Sequence, residues 1–198
     1  MSEWPAALDR GLAEAAHAGE TCSGDLAVLV PTAAGALAAV IDGLGHGPEA
    51  AEAAATCAAV VTRHAEAAPQ DLLQACHDAL LKTRGAVMTA VWFDLERERI
   101  SWAGVGNVLA RLVHAGPQAR EDVALVFGGV LGYRMPRVRP ATMGLERGDL
   151  LVMTTDGVED AISPALAGGG SAQTLADRIL TAHGRGSDDA LALVVRYR

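Results

Sequence analysis

Four short acidic stretches of this 198-residue chain lie in turn-forming contexts beside apolar runs: SGD at 23 to 25, IDGLGHG at 41 to 47, TTDGVED at 154 to 160 and SDDA at 187 to 190. An aspartate at the end of a strand, followed by glycine, can direct its carboxylate into a cleft. Its small neighbour leaves a backbone carbonyl open as well, and hard divalent cations bind such oxygens. If the four turns converge, Asp42, Asp156 and Asp188 or Asp189 repel one another, and bound Mg²⁺ or Mn²⁺ relieves the repulsion. An isolated Asp-Gly is ordinarily a turn. The set as a whole offers oxygen donors without His or Cys, which makes a two-metal site a reading of equal standing.

Other nucleophiles fit less well. Cys22 lies near the SGD turn, but no Cys-x5-Arg cradle holds a phosphate over it, and a bystander thiol is the simpler reading. The DxDx(T/V) run of an aspartyl nucleophile is missing. His46, between Gly45 and Gly47, could pass a proton to a leaving oxygen or simply cap a helix entry. Asn107 of GVGN could orient water or tolerate a left-handed turn. His17, His64, His77, His114 and His183 show no paired ligand spacing and read as surface or packing residues.

The elements that must carry these turns follow from periodicity. Strands are expected from Leu12 to Ala16, Leu26 to Val30 and Ala36 to Ile41, all apolar enough to lie inside a sheet. An Ala-rich helix runs from Pro48 to about Ala67, with proline suited to its first turn. Pro69 and Asp71 open a second helix, which pairs antiparallel with the first. A meander follows: Ala86 to Asp94, Ile100 to Ala103, Val108 to His114, Val123 to Phe127 and Leu150 to Thr154. The GGGS stretch at 168 to 171 reads as a loop, Ser171 to Ala182 as a third helix and Ala190 to Tyr197 as the last strand. Without regular βαβ alternation, an α+β fold is expected, with helices layered against antiparallel sheets in one domain over residues 1 to 198.

Composition excludes several classes. With 16 basic and 24 acidic residues the formal charge is −8, so a nucleic acid is a poor partner. Half of the chain, 51%, is hydrophobic, yet no apolar stretch approaches the ~20 residues of a membrane span. The start, MSEWPAALDR, lacks the basic leader and apolar core of a secretory signal. Three cysteines form neither an even disulfide set nor a Cys-x-x-Cys pair, so structural zinc is not expected and a reducing, cytoplasmic compartment is. Arg134, Arg137 and Arg139 form a basic cluster beside Pro136 and Pro140. It reads as a solvated loop or as a receiver of an acidic or phosphorylated partner surface.

Taken in order, GETCSGD, DGLGHG before an Ala-rich helix, GVGN, TTDGVED and SDDALALVV resemble the PPM family of metal-dependent serine/threonine protein phosphatases, in its SpoIIE-like branch. The resemblance covers residues from about 10 to 197. It implies a four-layer αββα sandwich and two Mn²⁺ or Mg²⁺ ions that activate water for in-line attack on phosphorus. By the same resemblance Asp42 bridges the metals, the Gly43 carbonyl completes the second site and Asp156 binds the first metal. Asp188 matches the last metal aspartate and ranks above Asp189, where many members have Asn. Asp25 matches a motif acid that supports the metals or holds a third ion; as a residue it equally well opens a strand. The phosphate-binding Arg that many eukaryotic members carry on the first strand has no match, since the context of Arg10 differs. The chain is most similar to the small branch members that reset stressosome proteins, which implies phosphorylated STAS-domain regulators as partners. A non-catalytic phosphoprotein-binding module and a hydrolase of small phosphate esters are the alternatives.

Overall fold

The computed structural model of the chain describes residues 3–116, 120–160, 166 and 169–198. Ten strands and three helices are defined among them: β1 (Leu8–Ala15), β2 (Asp25–Pro31), β3 (Gly35–Gly43), α1 (Pro48–Arg63), α2 (Pro69–Leu80), β4 (Ala86–Asp94), β5 (Arg99–Val105), β6 (Leu109–Val113), β7 (Glu121–Val123), β8 (Ala141–Gly144), β9 (Leu150–Thr154), α3 (Ala172–His183) and β10 (Ala190–Tyr197). They build two five-stranded sheets, ordered β1-β10-β9-β6-β7 and β2-β3-β4-β5-β8, in which all strand pairs are antiparallel.

The sheets stack, and strand alternation explains why. On β3, Ala36, Ala38 and Val40 pack inward against Leu191, Leu193 and Val195 of β10 and Leu151 and Met153 of β9. Leu37, Ala39 and Ile41 of the same strand face outward, onto Cys57 and Val61 of α1 and Leu72 and Leu73 of α2. Across the sandwich, Ala190, Ala192 and Val194 lie against Leu175, Ala176 and Ile179 of α3. Because both faces of these central strands are covered, they read as unbroken apolar runs rather than alternating ones. The result is the αββα layering that the resemblance implies. Among the described residues no helix is long and apolar enough to cross a membrane.

Several elements differ from expectation. Strands β1 and β2 are sheet edges, not interior strands; only β3 is interior. β1 begins at Leu8, four residues early, because Asp9 accepts hydrogen bonds from Ala172 N and pairs with Arg198, which lets charged residues enter the strand. α1 ends at Arg63, short of Ala67: His64 caps it with its N–H on the Val60 carbonyl. β7 is Glu121–Val123, because past Ala124, whose N–H still bonds Ala110 O of β6, the chain leaves that sheet and crosses to the other, where Gly106 N and Phe127 O, then Phe127 N and Gly104 O, are bonded. The strands therefore distribute over two sheets rather than form one meander. Edge strand β8, Ala141–Gly144, carries too little apolar pattern to be anticipated. In the GGGS stretch, Gly169 and Gly170 take positive φ before Ser171 caps α3 by accepting from Thr174 N; Gly168 lies outside the described residues.

Candidate active site

Register brings the acidic turns together in two pairs. In one sheet Asp25, the first residue of β2, stands opposite Asp42 near the end of β3. In the other, Thr154 at the end of β9 pairs with Ala192 of β10, which sets Asp156 beside Asp188 and Asp189. Two bonds clamp the pairs across the sandwich. Thr155 Oγ1 donates to Asp25 Oδ2 at 2.7 Å, and Gly24 N donates to Asp189 Oδ2 at 2.7 Å. All five aspartates line one cavity of about 430 Å³, together with Leu44 to His46, Gly106, Asn107 and Gly128 to Val130.

The five carboxylates are not equivalent. Asp189 is buried and spends both oxygens on backbone donors, Oδ1 on His17 N (2.7 Å) and Oδ2 on Gly24 N. Asp188 is exposed and gives only Oδ1 to the Asp189 N–H, which leaves Oδ2 open. Asp156 is exposed and accepts from Asn107 Nδ2 at 2.8 Å. Asp25 is buried, with Thr155 as its side-chain donor. Asp42 has no protein donor among the bonds described. Burial pushes Asp25 up to about 7, against the Thr155 bond, with repulsion from Asp189, Asp156 and Asp188 adding to it. Burial pushes Asp42 up to about 8, reinforced by Asp25, Asp156, Asp188 and Asp189. Among the described residues no Lys or Arg lines the cavity to offset this charge.

Local sequence explains these placements. Gly43 follows Asp42 because a Cβ there would sit 2.1 Å from the Ala50 carbonyl, so only glycine lets α1 pack this close. Its N–H bonds Gly24 O, tying the β2 and β3 ends; Gly43 is not among the residues lining the cavity. In GVGN the left-handed position is Gly106, at φ 104°, while Asn107 is free to hold Asp156. That loop is anchored below by Thr89 Oγ1, which donates to Val108 O at 2.7 Å from the buried face of β4.

Three participants escape sequence reasoning. His17 stacks on cavity-lining His46, ring centroids 4.6 Å apart at 12°, and His46 Nδ1 lies 2.9 Å from Glu20 Oε1. No ligand spacing marks His17, although its turn leads into GETCSGD. Thr155 stands in the quoted TTDG stretch, yet only register shows that it reaches Asp25. Arg84 Nη1 lies 2.9 Å from the place where a Cβ on cavity-lining Gly45 would sit, and it pairs with Glu49. Its turn between α2 and β4 gives no signal. Arg10 instead stacks over Trp4, 4.9 Å from the ring centroid. Cys22, Cys57 and Cys76 are free thiols.

The donors of this pocket suit one chemistry in particular. Buried carboxylates without a basic partner attract divalent cations that prefer hard oxygens. Among the described residues no three His, Cys, Asp or Glu side chains converge tightly enough to hold an ion unaided. Water and shared oxygens would complete its coordination, as hydrated Mg²⁺ commonly requires.

Comparison with known proteins agrees. The SpoIIE family model, Stage II sporulation protein E, matches residues 32–198. Phosphoserine phosphatase RsbX of Bacillus subtilis (strain 168) is 27% identical over 122 residues, 62% of this chain; the match spans 60% of the length of RsbX. A structure from work on the bacterial stressosome, as a modular system adapted to control secondary messenger signaling, superposes with a TM-score of 0.88 at 30% identity, covering 96% of this chain and 99% of the other. RsbX in complex with magnesium superposes equally well, with a TM-score of 0.88 at 22% identity over 99% of this chain and 98% of the other.

Proposed function

The chain belongs to the SpoIIE family of PPM-type phosphatase domains, and from that footing we propose that it is a divalent-metal-dependent phosphatase of phosphoserine and phosphothreonine proteins. The observation that carries the reading is that Asp42, Asp156 and Asp188, from the ends of two different sheets, line one cavity in which, among the described residues, no Lys or Arg stands. Asp42, without a protein donor among the bonds described, would be the carboxylate two ions could share. Asp156 and Asp188 each keep an oxygen that could hold one ion, and the likeness to the family points to the Gly43 carbonyl for the other. Asp189 braces the His17 and Gly24 loops, and Asp25 is an acid held against the pocket by Thr155.

Two Mn²⁺ or Mg²⁺ ions, when bound, would supply an acidified water and a counter-charge for the phosphoryl oxygens. The chain's own residues do the rest. Asn107 holds Asp156, Thr155 holds Asp25, and His17 stacks on the cavity-lining His46. No covalent phosphoenzyme is needed, which agrees with a cavity lined by carboxylates rather than by a thiol. The likeness to RsbX and to a stressosome structure supports phosphorylated STAS-domain regulators of a stress or sigma-factor pathway as substrates. Three free thiols support a cytoplasmic setting.

The test is phosphate release from a phosphorylated STAS-domain protein and from a small aryl phosphate, with Mn²⁺ and with chelator. Mn²⁺-dependent release from the phosphoprotein is expected. Release from the small ester alone points to a small-ester hydrolase, and no release from either, despite bound Mn²⁺, points to a non-catalytic binding module.

A further inference from the structure

The segment that closes one side of the cavity also carries the basic cluster. Gly128, Gly129 and Val130 line the cavity. Val130 and Arg134 then exchange both main-chain bonds, Val130 N to Arg134 O at 3.0 Å and Arg134 N to Val130 O at 2.7 Å. The turn folds so tightly that a Cβ on Gly129 would lie 2.6 Å from Arg134 O and 2.7 Å from Pro136 Cδ. Leu131 within the turn and Val138 beyond it are buried in the core that α2 covers, while Arg134, Arg137 and Arg139 are exposed. Arg137 and Arg139 flank buried Val138 and so share the outer face. With Gln70 and Gln74 of α2 and with Met135, Pro136 and Val138, they line a groove of about 380 Å³.

Clustering of charge is what sets this groove apart. In a chain of net charge −8, Arg84, Arg97, Arg99, Arg111, Arg120 and Arg198 each pair with a carboxylate. Cations such as Arg10, Arg63, Lys82 and Arg185, which form no ion pair among the described residues, are scattered along the chain, whereas three arginines here lie within six residues. Among the described residues Arg134, Arg137 and Arg139 make no such pair. Tyr133, 86% exposed, stands next to them as the only exposed aromatic described. Tyrosine and arginine are the side chains that most often anchor protein partners, and guanidinium forks suit carboxylates and phosphates.

We propose that Tyr133, Arg134, Arg137 and Arg139 form a docking surface for an acidic stretch of the phosphoprotein substrate. The phosphorylated residue then reaches the cavity past Gly128 to Val130. This rests on the phosphatase reading and adds to it a recognition element outside the metal pocket. The surface also offsets a difficulty that the pocket creates: five aspartates repel an anionic substrate, and a cationic rim attracts it. A nucleic acid is the less suited occupant, since the chain as a whole repels a long polyanion.

The experiment uses the whole chain and a fluorescein-labelled peptide with one phosphoserine flanked by Asp and Glu. Binding is measured in chelator, so that turnover cannot intervene, and kinetics are measured separately with Mn²⁺. For R134A/R137A/R139A, peptide affinity is expected to fall about tenfold, and KM for phosphoprotein to rise by a similar factor. Its kcat, and its turnover of a small aryl phosphate, stay as in the parent. Added salt weakens the parent but not the variant. Arg137→Glu, at an exposed position, serves as a second variant and is expected to weaken binding more than Arg137→Ala. Equal peptide affinity in parent and triple variant overturns the proposal whether or not the chain is a phosphatase. So does equal affinity for a peptide with Asn and Gln flanks, or tighter binding of single-stranded DNA of matching charge. Salt-sensitive, arginine-dependent binding without turnover of either substrate overturns the phosphatase reading alone.

Discussion

Strand β9 has an acidic cluster at each end, and the two are built on opposite principles. Before its first residue, Asp149 is buried yet fully provided for: Oδ1 accepts from Ala115 N, and Oδ2 accepts from Glu146 N and faces His114 Nδ1 at 3.1 Å. His114 Nε2 lies 2.9 Å from Asp122, which Arg120 also meets at 2.7 Å. Arg120 and His114 hold the Asp122 carboxyl below its usual range. Past the last residue of β9, Asp156 joins four other aspartates with no cation among them, and burial holds Asp42 and Asp25 above the usual range. Burial is common to both ends, so it does not distinguish them. Donor supply does: one cluster closes its own accounts of charge and hydrogen bonds, whereas the other leaves its acceptors for something brought from outside.

The largest test of this contrast is the same substitution at the two ends. Asp42→Asn removes a repelled carboxylate, so the metal-free protein should melt higher, while phosphate release falls more than a hundredfold. Asp149→Asn turns an acceptor of several bonds into a partial donor and is expected to cost about 2–4 kcal/mol, with turnover per folded molecule retained. Thermal melts in chelator, with phosphate release at a temperature where both variants are folded, decide the matter. A fall in Tm for Asp42→Asn would erase the contrast.

pH separates the clusters in a second way. Asp25 and Asp42 have folded values of about 7 and about 8 against an unfolded 3.8, so the folded state binds more protons. Their contribution is full below 3.8 and is lost as pH rises through 7 and 8. Asp122, lowered from 3.8, contributes above that value and loses its contribution as pH falls below it. The metal-free protein should therefore lose at least about 2 kcal/mol between weakly acidic and weakly alkaline solution. Mn²⁺ should recover the loss by binding the charged form. In the double variant Asp25→Asn/Asp42→Asn, Tm in chelator should stay flat across that range. A slope equal to that of the parent would place the titration elsewhere.

Much of the carboxylate pocket is legible in the chain because each acid is tied to a strand end whose apolar run announces it. DGLGHG and TTDGVED say where Asp42 and Asp156 stand, and Pro48 says where α1 begins. Pairing is what periodicity cannot supply. That Asp25 stands opposite Asp42, or that Thr155 reaches across to Asp25, depends on register between segments far apart in sequence. The same limit hid β8, whose ATMG has little to bury, and moved β7, since the apolar residues at 124 to 127 serve a crossing between sheets rather than a strand. The first half of β1 was missed for a related reason: this edge strand accepts Asp9, Arg10 and Glu14 because only one strand neighbours it. His17 is invisible alone, because its role arises from stacking on a residue 29 positions away.

Asn107→Ala gives the smallest effect and the finest probe. At the Asp149 end every acid is held by backbone or by charge, so loss of one neutral partner would be absorbed. At the cavity end Asp156 has Asn107 Nδ2 as its one described side-chain donor, and the GVGN turn itself is secured independently by Thr89 and Gly106. Truncation to alanine should thus leave stability within about 0.5 kcal/mol of the parent. Freed from that bond, Asp156 samples more rotamers, and metal affinity and phosphate release should each fall about tenfold, the lower range for partners that orient a ligand. Asn107→Asp should do worse, because it places a sixth carboxylate beside five that already repel. Titration of the two variants with Mn²⁺, followed by tryptophan fluorescence or calorimetry, reads this directly. If alanine and aspartate bind Mn²⁺ as the parent does, Asn107 serves the turn and not the acid.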